Sequence, residues 1–280
     1  MARPLRLHAP GMLHHLMSRG NDKREMFIDD VDYARYLELL ERSSRRFGIE
    51  VIAYCLMPNH VHLLLKPALH PLSRLMQHVN SAYCGWFNRR HGRVGHVLQG
   101  RYKAQILESG PSFLRVLRYI MLNPVNARMV ARPEDWSWSS FGASVGAADL
   151  PSLLSLTDVW NTFDSQDRQS AQRSFRAFVE MPSPPETEEG LLLGSTAFVR
   201  RFAPILATYR HDRELVHAER FAARPSLSEL IPEMTRGPGI RSAAHAAFHT
   251  HAFTLREIGH HVGASPSAVW LWTQRVARVA

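Results

Sequence analysis

The 280-residue chain contains little cysteine, little lysine and no long apolar run. Its two cysteines, Cys55 and Cys84, are too few for a disulfide scaffold or a cysteine-rich zinc site. No apolar stretch approaches the ~20 residues that span a bilayer, and the first residues lack the apolar core of a secretory signal. A hydrophobic content of 45% with 21% charged residues excludes wholesale disorder. We therefore expect a soluble protein of the reduced bacterial cytoplasm, with no membrane partner.

The scarcity of lysine makes the positive charge almost entirely arginine. Three of the 34 basic residues are lysines and 31 are arginines, and with 25 acidic residues the net charge is +9. The guanidinium group of arginine presents paired N–H donors that fit phosphate oxygens. This composition is therefore typical of a protein that binds nucleic acid. A GC-rich genome would produce the same arginine bias, and composition alone leaves both explanations open.

The charge is unevenly distributed and divides the chain into three parts. Residues 1–148 carry a net charge of +9 (20 − 11), residues 149–190 one of −5 (3 − 8) and residues 191–280 one of +5 (11 − 6). Apolar positions predict one or two helices within about 156–180, whereas the Pro- and Glu-rich stretch 181–190 predicts a linker. We expect a basic domain at 1–148, a helical extension with an acidic linker at 149–190 and a second basic domain at 191–280.

Hydrophobic periodicity predicts a mixed α+β first domain. The predicted elements are a strand at 12–18, a helix from Asp29 or Asp30 to Gly48, strands at 50–56 and 61–65, a helix at about 71–90, a strand near 102–107 and a helix opened by 109–112 that ends at Asn123, before Pro124. The order β-α-β-β-α-β-α is typical of a ferredoxin-like split βαβ fold with a mainly antiparallel sheet.

Two histidines flank Val61 at the start of the third predicted strand. Side chains alternate along a strand, so His60 and His62 leave on one face and are placed to grip one divalent ion. With 16 histidines in the chain, a His-x-His pair also arises by chance. A second pair, His249 and His251, falls in a predicted helix, where a surface or packing role is favoured.

A tyrosine and an asparagine lie four residues apart before Pro124. Tyr119 and Asn123 therefore share one helical face. A phenolic oxygen can attack phosphorus and remain attached, which conserves the bond energy in a covalent ester. The alternatives are a packing role for Tyr119 and a C-terminal cap for Asn123.

Two of these segments together resemble a known family. Met57-Pro-Asn-His-Val-His-Leu-Leu-Leu65 and Tyr119-Ile-Met-Leu-Asn-Pro-Val-Asn-Ala127 resemble the single-tyrosine HUH transposases, most of all the branch called REP-associated tyrosine transposases. Arg19-Gly-Asn21, Gln99-Gly-Arg-Tyr-Lys103 and Trp136-Ser-Trp-Ser-Ser-Phe141 are similar to that branch as well. The resemblance covers about residues 10–146 and continues more weakly to about 200.

The resemblance implies the chemistry of the first domain. It implies that His60, His62 and Asn123 hold Mg²⁺ or Mn²⁺, and that Tyr119 attacks single-stranded hairpin DNA to leave a 5′-phosphotyrosine. It also places Arg19 and Asn21 at the DNA. Because acid protonates metal-binding histidines, we expect activity to fall below about pH 6.

Further DNA contacts are predicted where positive charge and aromatic side chains lie together. The basic residues are Arg89, Arg90, Arg93, Arg101 and Lys103, with Tyr83 and Trp86 nearby. Single-stranded DNA binders combine these features to track the backbone and stack the bases. The alternative is a solvated helix end followed by a basic loop.

A helix-turn-helix is predicted at about residues 239–278. Thr254 and Glu257 form a capping-box pair, Gly263 suits a tight turn, and Ser265 caps a second helix. Val269, Trp270 and Trp272 are expected on its apolar side. The groove-facing candidates are Ser265, Ser267, Thr273, Gln274, Arg275 and Arg278. The alternative is a helical hairpin that packs on the first domain.

These observations favour a DNA transposase-like single-strand endonuclease and strand transferase with an added DNA-binding domain for double-stranded DNA, located at the nucleoid. The alternatives are a non-catalytic DNA-binding regulator on the same fold, a replication initiator of the HUH kind, and a small His-x-His phosphoesterase. The sequence argues against the phosphoesterase, because a third alternating histidine would fall at position 64, which is Leu. The acidic connector favours a monomer over the dimer known among insertion-sequence relatives.

Overall fold

The structure is a computed structural model that describes residues 6–7, 9–68, 70–164, 166–182, 190–209, 219, 221–232 and 238–275. The chain divides into two compact units, one comprising Pro4–Ser195 and the other containing Thr196–Ala280. Within the described residues, none of the helices combines the length and apolarity that a membrane crossing requires.

The first unit is built on an antiparallel sheet with the predicted order of elements. These are β1 (Leu13–Arg19), α1 (Asp30–Phe47), β2 (Ile49–Met57), β3 (His60–Pro67), α2 (Leu72–Arg90), β4 (Lys103–Leu107) and α3 (Pro111–Asn126). The sheet order is β2-β3-β1-β4, the split βαβ arrangement, and the predicted α+β class is confirmed. A short strand that was not predicted, β5 (Leu192–Leu193), adds to β4 in parallel.

The ends of α1 follow from local chemistry. Asp29 caps the helix by accepting hydrogen bonds from the amides of Val31 and Asp32. Gly48 ends it with a φ of +59°, a left-handed conformation that glycine adopts without strain. Tyr36 and Leu40, four residues apart, are fully buried, so this side of α1 meets the core, whereas Val31 at the start of the helix is 54% exposed.

Helix α3 does not stop before Pro124 as predicted. Proline has no amide hydrogen to donate to Ile120, yet the last turn closes because Ala127 donates to the Asn123 carbonyl and Met129 to that of Pro124, both at 3.0 Å. The Pro124 ring is buried, which offsets the missing bond. Asn123 therefore lies inside a helical turn and is not a C-terminal cap.

The two faces of the sheet are covered by different helices. The side chain of Ser18 accepts a hydrogen bond from Asn80 on α2, which places α2 on the face of that serine. Asn123 on α3 contacts His60 on the opposite face. Alternation along β3 buries Val61 on the α2 side and turns His60 and His62 toward α3. The tyrosine helix and the histidine pair therefore meet on one face.

Three further helices belong to the first unit. They are α4 (Phe141–Ser144), α5 (Thr157–Phe163) and α6 (Arg168–Glu180). The helices predicted within about 156–180 are present, and the fully buried ring of Phe175 contacts those of Phe141 and Phe163 at centroid distances of 6.4 and 5.4 Å. Of the predicted linker 181–190, residues 183–189 lie outside the described residues.

We expect Phe175→Ala to destabilise the first unit by about 3–5 kcal/mol, because it leaves a cavity where a fully buried ring packs. Urea unfolding measures the loss. Arg173→Ala, on the same helix with a side chain 72% exposed, is the control and should change the free energy of unfolding by less than about 0.5 kcal/mol. Equal effects of the two changes would mean that α6 does not contribute to this core.

The second unit is helical. Its described helices are α7 (Thr196–Arg201), α8 (Ala203–Ala207), α9 (Leu227–Leu230), α10 (Pro238–His249), α11 (Leu255–Val262) and α12 (Pro266–Arg275). The Thr254–Glu257 capping box is present, and Gly263 ends α11 with a φ of +67°. The Ser265 hydroxyl accepts a hydrogen bond from the Ala268 amide at the start of α12.

Helix α12 buries the expected Val269 and packs Trp272 partly against the core of this unit, but it leaves Trp270 exposed. Val269 is fully buried, but Trp270, expected on the apolar side, is 46% exposed. Thr273, a groove-facing candidate, is 1% exposed, and its hydroxyl donates to the Trp270 carbonyl. Because the Thr273 hydroxyl makes this hydrogen bond within its own helix, burying the side chain costs little free energy. Arg278 lies outside the described residues.

Candidate active site

The strand register places both histidines of β3 on the face that α3 covers. His60 lies opposite Met57 of β2 and Arg19 of β1, and His62 lies opposite Cys55 and Met17. Directly opposed residues project from the same face of an antiparallel sheet. The two imidazole centroids are 4.9 Å apart, with the rings perpendicular.

Helix α3 brings Tyr119 and Asn123 to the histidine pair. The Asn123 Oδ1 atom lies 3.2 Å from His60 Nε2, and the Asn123 Nδ2 atom lies 3.4 Å from His62 Nε2. The Tyr119 ring centroid is 5.3 Å from that of His62. All four residues predicted for this site are therefore in one cluster.

Two residues of this cluster were not predicted from the sequence. His15 on β1 lies with its Nε2 atom 2.9 Å from His62 Nδ1, and its Nδ1 atom is 2.9 Å from Gln105 Oε1 on β4. The His15 ring lies nearly parallel to that of His62, with the ring centroids 5.1 Å apart, and meets Tyr119 edge-on. The available signal was the alternation of β1, in which His15, Met17 and Arg19 share one face.

Burial keeps the imidazoles of the site neutral. Loss of solvent lowers the pKa of His15 to about 4, against the opposing effect of the hydrogen bond that His15 donates to Gln105 Oε1. Burial likewise places the pKa of His62 well below its usual value, and the neighbouring histidines and Arg19 act in the same direction. The pKa of His60 is lowered, mainly by burial. The three imidazoles therefore stay neutral to a lower pH than a free histidine does.

The donor set fits a divalent cation. Neutral His60 has one N–H to share between Asn59 Oδ1, 2.6 Å from Nδ1, and Asn123 Oδ1, 3.2 Å from Nε2. The shorter contact takes the proton, so a lone pair on Nε2 faces an oxygen lone pair, and a cation between them removes the repulsion. Among the described residues, no three His, Cys, Asp or Glu side chains form a metal-binding group, so the set is two imidazoles and one carboxamide. Nitrogen donors favour Mn²⁺ over the oxygen-preferring Mg²⁺.

We expect acid to destabilise the protein between pH 7 and pH 5. Unfolded His15 has a pKa near 6.5 and folded His15 one of about 4, so the unfolded chain binds more protons in this window. His15 alone contributes a loss of about 2 kcal/mol by pH 5, and carboxylates titrate lower. Urea unfolding at both pH values measures this, with non-titrating His15→Gln as the control that should lose part of the dependence. An unchanged midpoint in wild type would contradict it.

The residues predicted to contact DNA have different environments. Arg89, Arg101, Lys103 and Asn21 are exposed, and Arg19 lies at the site opposite His60. The Arg93 guanidinium lies over the Phe87 ring, 5.5 Å from its centroid. Ser265 and Ser267 are exposed, and Gln274 and Arg275 have helical backbone but side chains outside the described residues.

Two of the side chains near the basic segment serve the fold. The Arg90 guanidinium binds the carboxylates of Asp29 and buried Asp32 at 2.6–2.8 Å, so its Nη1 and Nη2 atoms are engaged within the protein. Tyr83 is fully buried and its hydroxyl donates to the Met26 carbonyl, so its ring cannot stack a base. Both were assigned to the DNA surface because sequence spacing does not reveal the acidic and apolar partners from α1 and its preceding loop.

A family model matches part of the chain. Residues 9–123 match the family model described as "Transposase IS200 like", which confirms the resemblance to single-tyrosine transposases over this segment and supports a transposase-like DNA-processing function. No curated protein sequence matches the chain significantly. Among solved structures, the chain is similar to a REP-associated tyrosine transposase bound to a REP hairpin, with 18% identity, a TM-score of 0.46, and coverage of 55% of this chain and 92% of that one. It is also similar to a transposase candidate from Deinococcus radiodurans R1, with 18% identity, a TM-score of 0.31, and coverage of 42% and 95%.

Proposed function

We propose that this chain, with an IS200-like transposase segment at residues 9–123, is a metal-dependent single-strand DNA endonuclease and strand transferase with a tyrosine nucleophile. The observation that carries the proposal is the convergence of His60, His62 and Asn123 beside Tyr119 on one face of the sheet. A nucleophile next to a set of neutral nitrogen and oxygen donors is the arrangement that phosphoryl transfer requires.

Tyr119 is the proposed catalytic residue. Its phenolic oxygen attacks the scissile phosphorus, a Tyr–O–P bond forms, and the bond from phosphorus to the 3′ oxygen breaks. The phenolic proton leaves and the departing oxygen gains one, so the products are a 5′-phosphotyrosine and a 3′-hydroxyl. The number of phosphodiester-type bonds is unchanged. A 3′-hydroxyl from another DNA end can therefore reverse the step and complete strand transfer.

His60, His62 and Asn123 are the proposed ligands of Mn²⁺ or Mg²⁺. A divalent ion bound by them supplies Lewis-acid polarisation of the scissile phosphate. The contribution of the chain is to present two unprotonated Nε2 atoms and a carboxamide in fixed positions. Burial of both imidazoles keeps them neutral at physiological pH, so no proton has to be displaced before they bind a cation.

The proposed substrate is hairpin-containing single-stranded DNA. Arg19 at the site and the exposed Arg89, Arg101 and Lys103 supply positive charge for the phosphate backbone. The sequence resemblance to REP-associated tyrosine transposases implies the hairpin. The α11–Gly263–α12 segment is proposed as a second contact, to double-stranded DNA. We propose a monomer, and a tight dimer in analytical ultracentrifugation would contradict that.

Oligonucleotides labelled at one end test the reaction and its polarity. Hairpins from repeats flanking the gene are incubated with the full chain and Mn²⁺ or Mg²⁺. We expect a 3′-label to migrate with the protein under denaturing conditions and a 5′-label to appear as a shorter free strand. EDTA should abolish both products, and added Mn²⁺ should restore them. Binding of several hairpins with no cleavage would favour the DNA-binding regulator.

A further inference from the structure

We propose that Gln105 and His15 are positioning residues that fix the proton of His62 on Nδ1 and leave its Nε2 lone pair directed at the ligand position. The proposal rests on the metal site proposed above. An unbroken series of hydrogen bonds supports it, from the backbone of Gly190, through Gln105 and His15, to His62.

The direction of the series is set by a group that can only accept. The Gly190 carbonyl accepts a hydrogen bond from Gln105 Nε2 at 2.9 Å. This contact orients the carboxamide so that Gln105 Oε1 faces His15. The oxygen lies 2.9 Å from His15 Nδ1 and must accept there, so neutral His15 carries its proton on Nδ1.

The tautomer of His15 determines that of His62. With its proton on Nδ1, His15 presents an unprotonated Nε2 atom 2.9 Å from His62 Nδ1, and the hydrogen bond forms only if His62 Nδ1 donates. The remaining lone pair of His62 is then on Nε2, on the side of Asn123. Both rings are at least nine-tenths buried, so water does not supply alternative partners.

The other histidine of the pair is held by the same logic. Asn59 Nδ2 donates to the Lys23 carbonyl at 3.1 Å, which turns Asn59 Oδ1 toward His60 Nδ1. His60 therefore also carries its proton on Nδ1. Two carboxamides, each anchored on a backbone carbonyl, direct both Nε2 lone pairs into one site. Such outer contacts orient ligands and raise their affinity for a metal.

The spectroscopic test uses the metal-free full chain with ¹⁵N-labelled histidine. The nitrogen shifts of His62, assigned by their loss in His62→Gln, should show a single Nδ1–H tautomer in wild type. Gln105→Met removes the acceptor and should produce a mixture of tautomers, whereas Gln105→Glu keeps an oxygen opposite His15 and should retain the wild-type signals. Gln172→Met, the same exchange on α6, is the matched control and should change nothing. An unchanged tautomer in Gln105→Met would overturn the proposal.

Titration with Mn²⁺ alone separates this inference from the proposed function. Gln105→Met should weaken Mn²⁺ binding about tenfold or more relative to wild type, and Gln105→Glu should bind more tightly than Gln105→Met. Equal affinities of wild type and Gln105→Met would overturn the positioning role. If wild type binds no Mn²⁺, the metal site fails, and the tautomer measurement still decides the hydrogen-bond series.

Discussion

Tyr119→Phe is expected to abolish the covalent protein–DNA product and to reduce strand cleavage by at least about 10³-fold, because phenylalanine has no oxygen to attack phosphorus. The ring itself remains, so its edge-on contacts with His62 and His15 are retained. Hairpin affinity and Mn²⁺ affinity should therefore stay within about threefold of wild type, a difference under 1 kcal/mol. The 3′-labelled oligonucleotide assay measures the covalent product, and fluorescence anisotropy measures DNA binding.

A second tyrosine provides the matched control for this change. Tyr36 is fully buried on α1, and its hydroxyl has no hydrogen-bond partner among the described residues, so Tyr36→Phe removes an oxygen at little cost to the fold. Cleavage by Tyr36→Phe should equal that of wild type. Undiminished cleavage by Tyr119→Phe would assign the nucleophile elsewhere and remove the central element of the proposed mechanism.

The architecture could be predicted from the sequence because patterns within a few residues of one another specify its helices and strands. The helical spacing of Tyr36 and Leu40, the cap at Asp29 and the glycine at position 48 each act within a few residues, and each appears in the structure where it was expected. The His60–His62 alternation depends only on strand geometry. The order of these elements then leaves few topologies for one antiparallel sheet, which is why the α+β fold class was predicted correctly.

The errors and omissions all involve contacts between distant parts of the chain. Helix α3 continues past Pro124 because tertiary burial of the ring offsets a lost hydrogen bond, which no local rule anticipates. The Gln105–Gly190 contact joins residues 85 positions apart and depends on the short β5 strand. The burial of Thr273 and the exposure of Trp270 similarly reflect which side of α12 packs, and helical spacing alone was ambiguous there.

His62→Ala is expected to weaken Mn²⁺ binding by more than about 100-fold and to reduce cleavage below detection. The change removes one of three donors, which should cost more than the about 10–100-fold loss caused by changing an outer-shell partner. It also leaves the His15 Nε2 atom without its hydrogen-bond donor. Isothermal titration with Mn²⁺ measures the affinity without reference to DNA, and the oligonucleotide assay measures the activity.

Loss of a buried ring also lowers stability, so the control is a histidine of equal burial that does not face the site. His14 meets this condition, because it is 1% exposed, like His62, and alternation along β1 turns it to the opposite face of the sheet. His14→Ala and His62→Ala should both lower the urea midpoint, whereas only His62→Ala should lose Mn²⁺ binding. If both variants keep wild-type Mn²⁺ affinity, the ion does not bind at His62. If both lose it equally, the loss is a consequence of destabilisation and not of a missing ligand.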